Sequence, residues 1–317
     1  MKMSHLWLPL SLLLLADAAG GLKAAFRASL AIILAVLANV QFSIQINDLS
    51  DRKEDQEAGK KRWGSALSKS AAVLVAALFL TAGLAVVLLT ARSLSTILAY
   101  SAAVLLAVAY SLKPLRFKER GVLGLLVYTL SAVSIYVLVP WTWLRAGFWP
   151  LIVLAAAVGS DKWVQIHFHQ VVDYHADIKT ETRTYAVQAG LGRARSSLKW
   201  ASLLASFCLL GVAAAIVLLV GRALGRAVAL LVLGAAVLAA VKVITAKSKD
   251  HPWAGPAVFT RELPWIYLGL STFTFFVLPP VLFFFSARQD PRLWILAALS
   301  LFSLAGNSWQ FLRYGSK

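Results

Sequence analysis

Acidic side chains are scarce in this sequence, 14 Asp and Glu against 31 Lys and Arg in 317 residues, and they are clustered. Asp48, Asp51, Glu54, Asp55 and Glu57 fall together in NDLSDRKEDQEAGK, where a long apolar run ends. On a helix, Asn47, Asp51 and Asp55 share one face at i, i+4 and i+8, with Asp48 beside them. Like charges on one face repel unless something positive neutralises them. Mg²⁺ does this well, taking one or two carboxylates together with waters and phosphate oxygens. A second cluster, Asp173 and Asp177 in DYHADIKTETRT, repeats the i, i+4 spacing at another helix end, with His169 one turn earlier. Two such patches on one side of a bundle can hold a metal–diphosphate between them.

Between the clusters lies YSLKPLRFKERG, Tyr110 to Gly121, where Lys113, Arg116 and Lys118 surround a helix-breaking proline, Pro114. Cations in that place stabilise the anion that a departing diphosphate becomes, and Lys179 and Arg183 are placed to serve similarly. The plainer reading is a solvated loop with local ion pairs, Asp55 with Lys60 or Lys61, and basic residues that only set topology. Acid concentrated at two helix ends of a basic chain favours the chemical reading.

The elements that must position these groups are membrane helices. The chain is 60% hydrophobic and 14% charged, with a mean hydropathy of +0.75. A soluble domain carries about a quarter charged residues. Apolar runs near 5–19, 22–46, 66–90, 94–111, 121–140, 147–171, 197–219, 226–246, 263–286 and 293–312 predict about nine or ten helices. The fold class is therefore an all-α polytopic integral membrane bundle, one domain over 1–317; continuously apolar runs exclude a barrel of alternating strands. The first run reads as a retained helix, a signal peptide or a truncated start.

The net charge of +17 falls in loops. Loops 47–65, 112–120, 173–199 and 247–261 carry most of it, which puts them on the cytoplasmic side, at the inner membrane of a cell. A basic excess so placed sets topology and gives no reason to expect nucleic acid as a partner. Trp141, Trp143 and Trp149 fit an aromatic belt on the opposite side. The lone Cys208 allows no internal disulfide. His167 and His169, at i and i+2, do not share a helix face, which argues against zinc. Glu262 at the start of a late span can polarise an acceptor or simply favour a helix dipole.

These motifs resemble those of the UbiA superfamily of intramembrane prenyltransferases. NDLSDRKED fits NDxxDxxxD, DYHAD fits DxxxD, and YSLKPLRFKERGVLG is similar to the basic loop between them. The resemblance implies about nine helices around a central cavity, with a polyprenyl diphosphate donor held through Mg²⁺ and a lipophilic, commonly aromatic acceptor, as in quinone biosynthesis. It implies metal ligation by Asn47, Asp48, Asp51, Asp55, Asp173 and Asp177, and diphosphate contacts from Lys113, Arg116, Lys118, Lys179 and Arg183. It further implies that Tyr110 and Tyr174 shield an allylic cation. Two departures stand out: Glu181 replaces a frequent glycine, and His175-Ala176 replaces a more acidic pair. The alternatives are transfer of another group, such as phosphoribose to a polyprenyl phosphate, or a cation-coupled transporter, for which Asp161 and Lys162 are the intramembrane charges.

Overall fold

The computed structural model describes residues 7–18, 22–57, 67–91, 93–220, 224–248 and 262–287, with 291, 294, 295 and 298 beyond them. Regular structure among these is helical: α1 (Trp7–Ala18), α2 (Leu22–Ser50), α3 (Arg52–Glu57), α4 (Lys69–Thr90) and α5 (Leu94–Ser111) come first. There follow α6 (Val122–Leu144), α7 (Phe148–Val172), α8 (Tyr174–Lys179), α9 (Tyr185–Ala189), α10 (Leu191–Val220) and α11 (Leu224–Ser248). The last, α12, begins at Trp265 and continues through Ala287. A π turn interrupts α6 at Ser134–Leu138 and α12 at Phe273–Val277.

Six helices are long and apolar enough to cross a bilayer, Ala25–Ser50, Lys69–Thr90, Leu94–Ser111, Val122–Leu144, Leu191–Ile216 and Trp265–Leu282. The chain is thus an all-helical integral membrane protein. The short break between the runs at 66–90 and 94–111 does separate two helices, as the polar Ser93 and Ser95 suggest. Helix α1 is 12 residues long, about 18 Å, too short for a hydrocarbon layer of roughly 30 Å. Its leucines are instead buried, Leu10, Leu12 and Leu15 among them, against α2, α6 and α7. The run expected at 293–312 lies almost wholly outside the described residues.

Large apolar side chains stand exposed along the spans, for example Leu78 and Leu88 on α4, Leu98 on α5 and Phe207 on α10. In water such faces would be a liability; against lipid tails they cost nothing. Helix α7 departs from this pattern. Asp161, Lys162, Gln165, His167 and Gln170 lower its apolarity, and it packs between α6 and α10 with most of these polar groups buried. At the opposite side of the bundle α2 lies against α4 and α5, where the Tyr100 hydroxyl donates to the Ala35 carbonyl (3.4 Å) beside Gly83, a position where a Cβ would collide with that hydroxyl.

Candidate functional site

The first acidic motif begins inside α2 and carries on past its end. Backbone bonds Asp51 N–H to Asn47 (2.9 Å) and Asp55 N–H to Asp51 (2.8 Å) keep the helical register through the turn into α3. Asn47, Asp51 and Asp55 therefore do share a face. Asn47 Nδ2 donates to Asp51 Oδ2 (3.1 Å). Asp48 and Asp55 are buried.

The basic loop closes over this face. Ser50 Oγ donates to the Ser111 carbonyl (2.6 Å), tying the ends of α2 and α5 together and delivering the loop to the motif. The loop passes a cis Lys113–Pro114 bond and a left-handed Arg116 (φ 34°) into a short 3₁₀ turn, Phe117–Glu119. Arg116 is buried and forked: Nη2 reaches Glu54 (2.6 Å) and Asp51 (3.7 Å), while Nε reaches Glu119 (2.7 Å). Lys118, also buried, pairs directly with Asp51. Burial pulls the Lys118 ammonium down to about 8, against Glu119 and Asp177, which favour its charge. Partial burial tends to raise the Glu54 carboxyl. A backbone hydrogen bond and the Arg116 guanidinium, with Lys113 further off, outweigh it and hold the group below its ordinary value.

The second motif reaches the same place from α7. Asp173 caps that helix, its N–H bonded to His169 (2.9 Å), and Asp177 follows one turn later in α8. Thr184 Oγ1 donates to Asp177 Oδ2 (3.0 Å), and the Thr184 backbone forms a parallel bridge with Gly121 at the end of the basic loop. Gln188 fastens the same seam, donating to the carbonyls of Arg183 (2.8 Å) and Glu119 (3.4 Å). Gly121 has φ +58°, and a Cβ there would strike the Gln188 amide, so glycine is required on both counts. Lys118 thus lies in contact with the first motif and within electrostatic reach of the second.

Among the expected residues, the structure brings Asn47, Asp51, Arg116, Lys118 and Asp177 together. Tyr110 sits beneath them, its ring 5.6 Å from that of Tyr128 and within electrostatic reach of Asp177. Lys113, Lys179 and Arg183 are exposed, and Tyr174 packs its ring on His175. Lys60 and Lys61 lie outside the described residues. Glu54, from the first acidic cluster, completes the site together with Glu119, Thr184 and Gln188, which carry no sequence signature, since a single Glu, Thr or Gln looks like any other. Glu262 does not face it; both carboxylate oxygens are held by Arg195.

No group of three or more His, Cys, Asp and Glu among the described residues is close enough to hold a metal ion as it stands. The donor set nonetheless suits a hard cation. It is all oxygen, largely carboxylate and partly buried, and Glu54 Oε2 has no hydrogen bond.

Fold and site together define an integral membrane protein with a charged, partly buried site where helix ends meet. The chain belongs to the UbiA prenyltransferase family, whose model matches residues 6–260. No curated protein is similar enough in sequence to count as a match. Among solved structures, a UbiA homologue from Archaeoglobus fulgidus bound to GPP and Mg²⁺ is 21% identical, over 86% of this chain and 97% of that one, with a TM-score of 0.53. The same homologue bound to DMAPP and Mg²⁺ is 23% identical, over 67% and 76%, with a TM-score of 0.51. At this identity the likeness is one of fold.

Proposed function

We propose that this chain transfers a prenyl group from an allylic polyprenyl diphosphate to a small lipophilic, commonly aromatic acceptor, in quinone or related isoprenoid synthesis. The observation that carries the reading is Lys118, in contact with Asp51 and within electrostatic reach of Asp177, so that two acidic motifs and a basic loop converge. The solved homologue's bound GPP and Mg²⁺ support the same choice of donor and metal.

Asn47, Asp48, Asp51, Asp55, Asp173 and Asp177 would hold Mg²⁺, which, when bound, neutralises diphosphate charge. Arg116 and Lys118 are the cations nearest the leaving group, buried where their charge is least screened. Lys113, Lys179 and Arg183, exposed at the rim, draw the anion in. The donor's C1–O bond breaks with its electron pair leaving on the diphosphate. Tyr110 and Tyr174 offer ring faces to the allylic cation until the acceptor attacks and gives up a proton. The positive-inside bias supports an inner-membrane protein with this site on the cytoplasmic side. The full bundle is read as one domain of about nine helices.

The test is diphosphate release from geranylgeranyl diphosphate by purified protein in lipid nanodiscs. Release should require Mg²⁺, stop with EDTA, and fall at least about a hundredfold in Asp51→Ala and Asp177→Ala. Release indifferent to both substitutions would sink the reading.

A further inference from the structure

Deep in the bundle, Asp161 and Lys162 on α7 are both fully buried. Asp161 Oδ1 accepts from the Tyr267 hydroxyl of α12 (2.7 Å), and Oδ2 accepts from Gln165 Nε2 (2.7 Å). Gln165 Oε1 in turn accepts from Lys162 Nζ (2.9 Å). The amide so placed keeps the charges apart: Lys162 Nζ stands 3.8 Å from Asp161 Oδ2, an ion pair without a hydrogen bond. An ammonium has three N–H groups. Gln165 takes one, the Tyr136 ring offers only its face at 5.7 Å, and no other hydrogen-bond acceptor among the described residues reaches Lys162.

A buried cation with unmet donors is costly anywhere and more so where α7 packs between membrane spans. An ionisable pair at such a depth marks a site that binds or moves something. The surrounding backbone agrees. Tyr136 lies in the π turn of α6, and the helix that carries Tyr267 has its own π turn at Phe273–Val277. Such turns interrupt helices mostly where function requires it.

We propose that Asp161 and Lys162 form the acceptor's polar subsite, taking a hydroxyl that donates to Asp161 and accepts from Lys162. The inference rests on the prenyl-transfer reading and follows by elimination. Twelve residues of helix, about 18 Å, separate Asp161 from Asp173, so the diphosphate does not reach the pair. The donor's tail is hydrocarbon and has no use for an ammonium. What remains is the acceptor, whose oxygen would sit at the pair while its rings lie toward Tyr128 and Tyr110. Tyr128 on α6 holds its ring 5.6 Å from that of Tyr110, tilted at 55°, which continues an aromatic surface toward the head-group site.

The probes are 1-naphthol, naphthalene, and the non-hydrolysable geranylgeranyl thiolodiphosphate with Mg²⁺, each titrated onto protein in nanodiscs. The informative variant is the double substitution Asp161→Asn with Lys162→Met. Lys162→Met alone strands a buried carboxylate, whereas the pair removed together leaves no uncompensated charge and keeps the fold. Wild type should bind 1-naphthol at least about tenfold more tightly than naphthalene, and the double variant should lose that preference. Donor-analogue affinity should change less than about twofold, because neither residue is near the diphosphate. An unchanged naphthol preference in the variant, or donor binding that falls in step with it, overturns the proposal in favour of a structural pair. Donor binding without any naphthol preference in wild type defeats this inference alone. Failure of wild type to bind the donor analogue defeats the prenyl-transfer reading and the inference with it.

Discussion

Lys118 pairs with Asp51 across the seam between the basic loop and the first acidic motif, and both side chains are largely buried. The ammonium therefore occupies one face of a carboxylate proposed as a metal ligand. Binding a metal–diphosphate would turn Lys118 from the carboxylate onto phosphate oxygens, exchanging one anion for another. A group that already lies at the reacting centre loses more on removal than one that must swing in from solvent.

This separates cations that look equivalent in the sequence. Lys118→Met should lower kcat/KM for diphosphate release by about a hundredfold, because a buried charge on the leaving group is lost. Lys179→Met and Arg183→Met, at exposed positions, should cost less than about threefold at physiological salt, where screening is strong. Steady-state release assays on the three variants measure this. Equal losses would show that the loop rearranges to bring every cation in.

The Arg116 fork gives a pH dependence of known sign. The Glu54 carboxyl is depressed in the folded chain, so unfolded chain binds more protons than folded chain as pH falls through the carboxylate range. The pair's contribution is fully present above the unfolded value of 4.5 and is lost below it, as Glu54 protonates. Hydrogen exchange in the 112–120 loop should therefore show weaker protection on acidification from pH 5 to pH 3, allowing for its intrinsic pH dependence. Glu54→Gln should flatten that response while leaving protection at pH 7 somewhat reduced. An identical acid response in the variant would move the cause to another carboxylate.

How far the sequence could be read follows from the kind of signal each feature leaves. Helices and the membrane setting are written in long apolar runs, and the i, i+4 acids put Asn47, Asp51 and Asp55 on one face as the turn at Asp51 preserves register. The count of spans was less legible. Helix α1 has the hydropathy of a span but only 12 residues, and α7 has the length but too many polar groups. The seam made by Gly121, Thr184 and Gln188 was invisible, because it joins residues more than sixty positions apart through backbone and amide contacts that leave no spacing pattern. Asp161 and Lys162 were visible as intramembrane charges, but their partner Tyr267 is 106 residues away.

Glu181 shows a sequence oddity acquiring a physical cause. The family resemblance implies a glycine at this position, and the backbone of Glu181 is left-handed, at φ 54°. The conformation is imposed by the turn that follows α8, where the Thr182 N–H bonds back to Asp177 (2.8 Å) and Thr184 then reaches the Asp177 carboxylate. A residue with a Cβ pays roughly 1 kcal/mol for that conformation, and glycine escapes most of it while losing some entropy in the unfolded chain. The exposed Glu181 side chain has no ion pair among the described residues to set against this. Glu181→Gly should therefore leave stability unchanged or raise it by up to about 1 kcal/mol, with Mg²⁺-dependent release intact. Glu181→Val should destabilise, because a β-branched side chain tolerates positive φ least. Thermal unfolding of both variants in one detergent decides the point. A stability loss in the glycine variant would mean that the carboxylate of Glu181, and not the turn, is what the position selects.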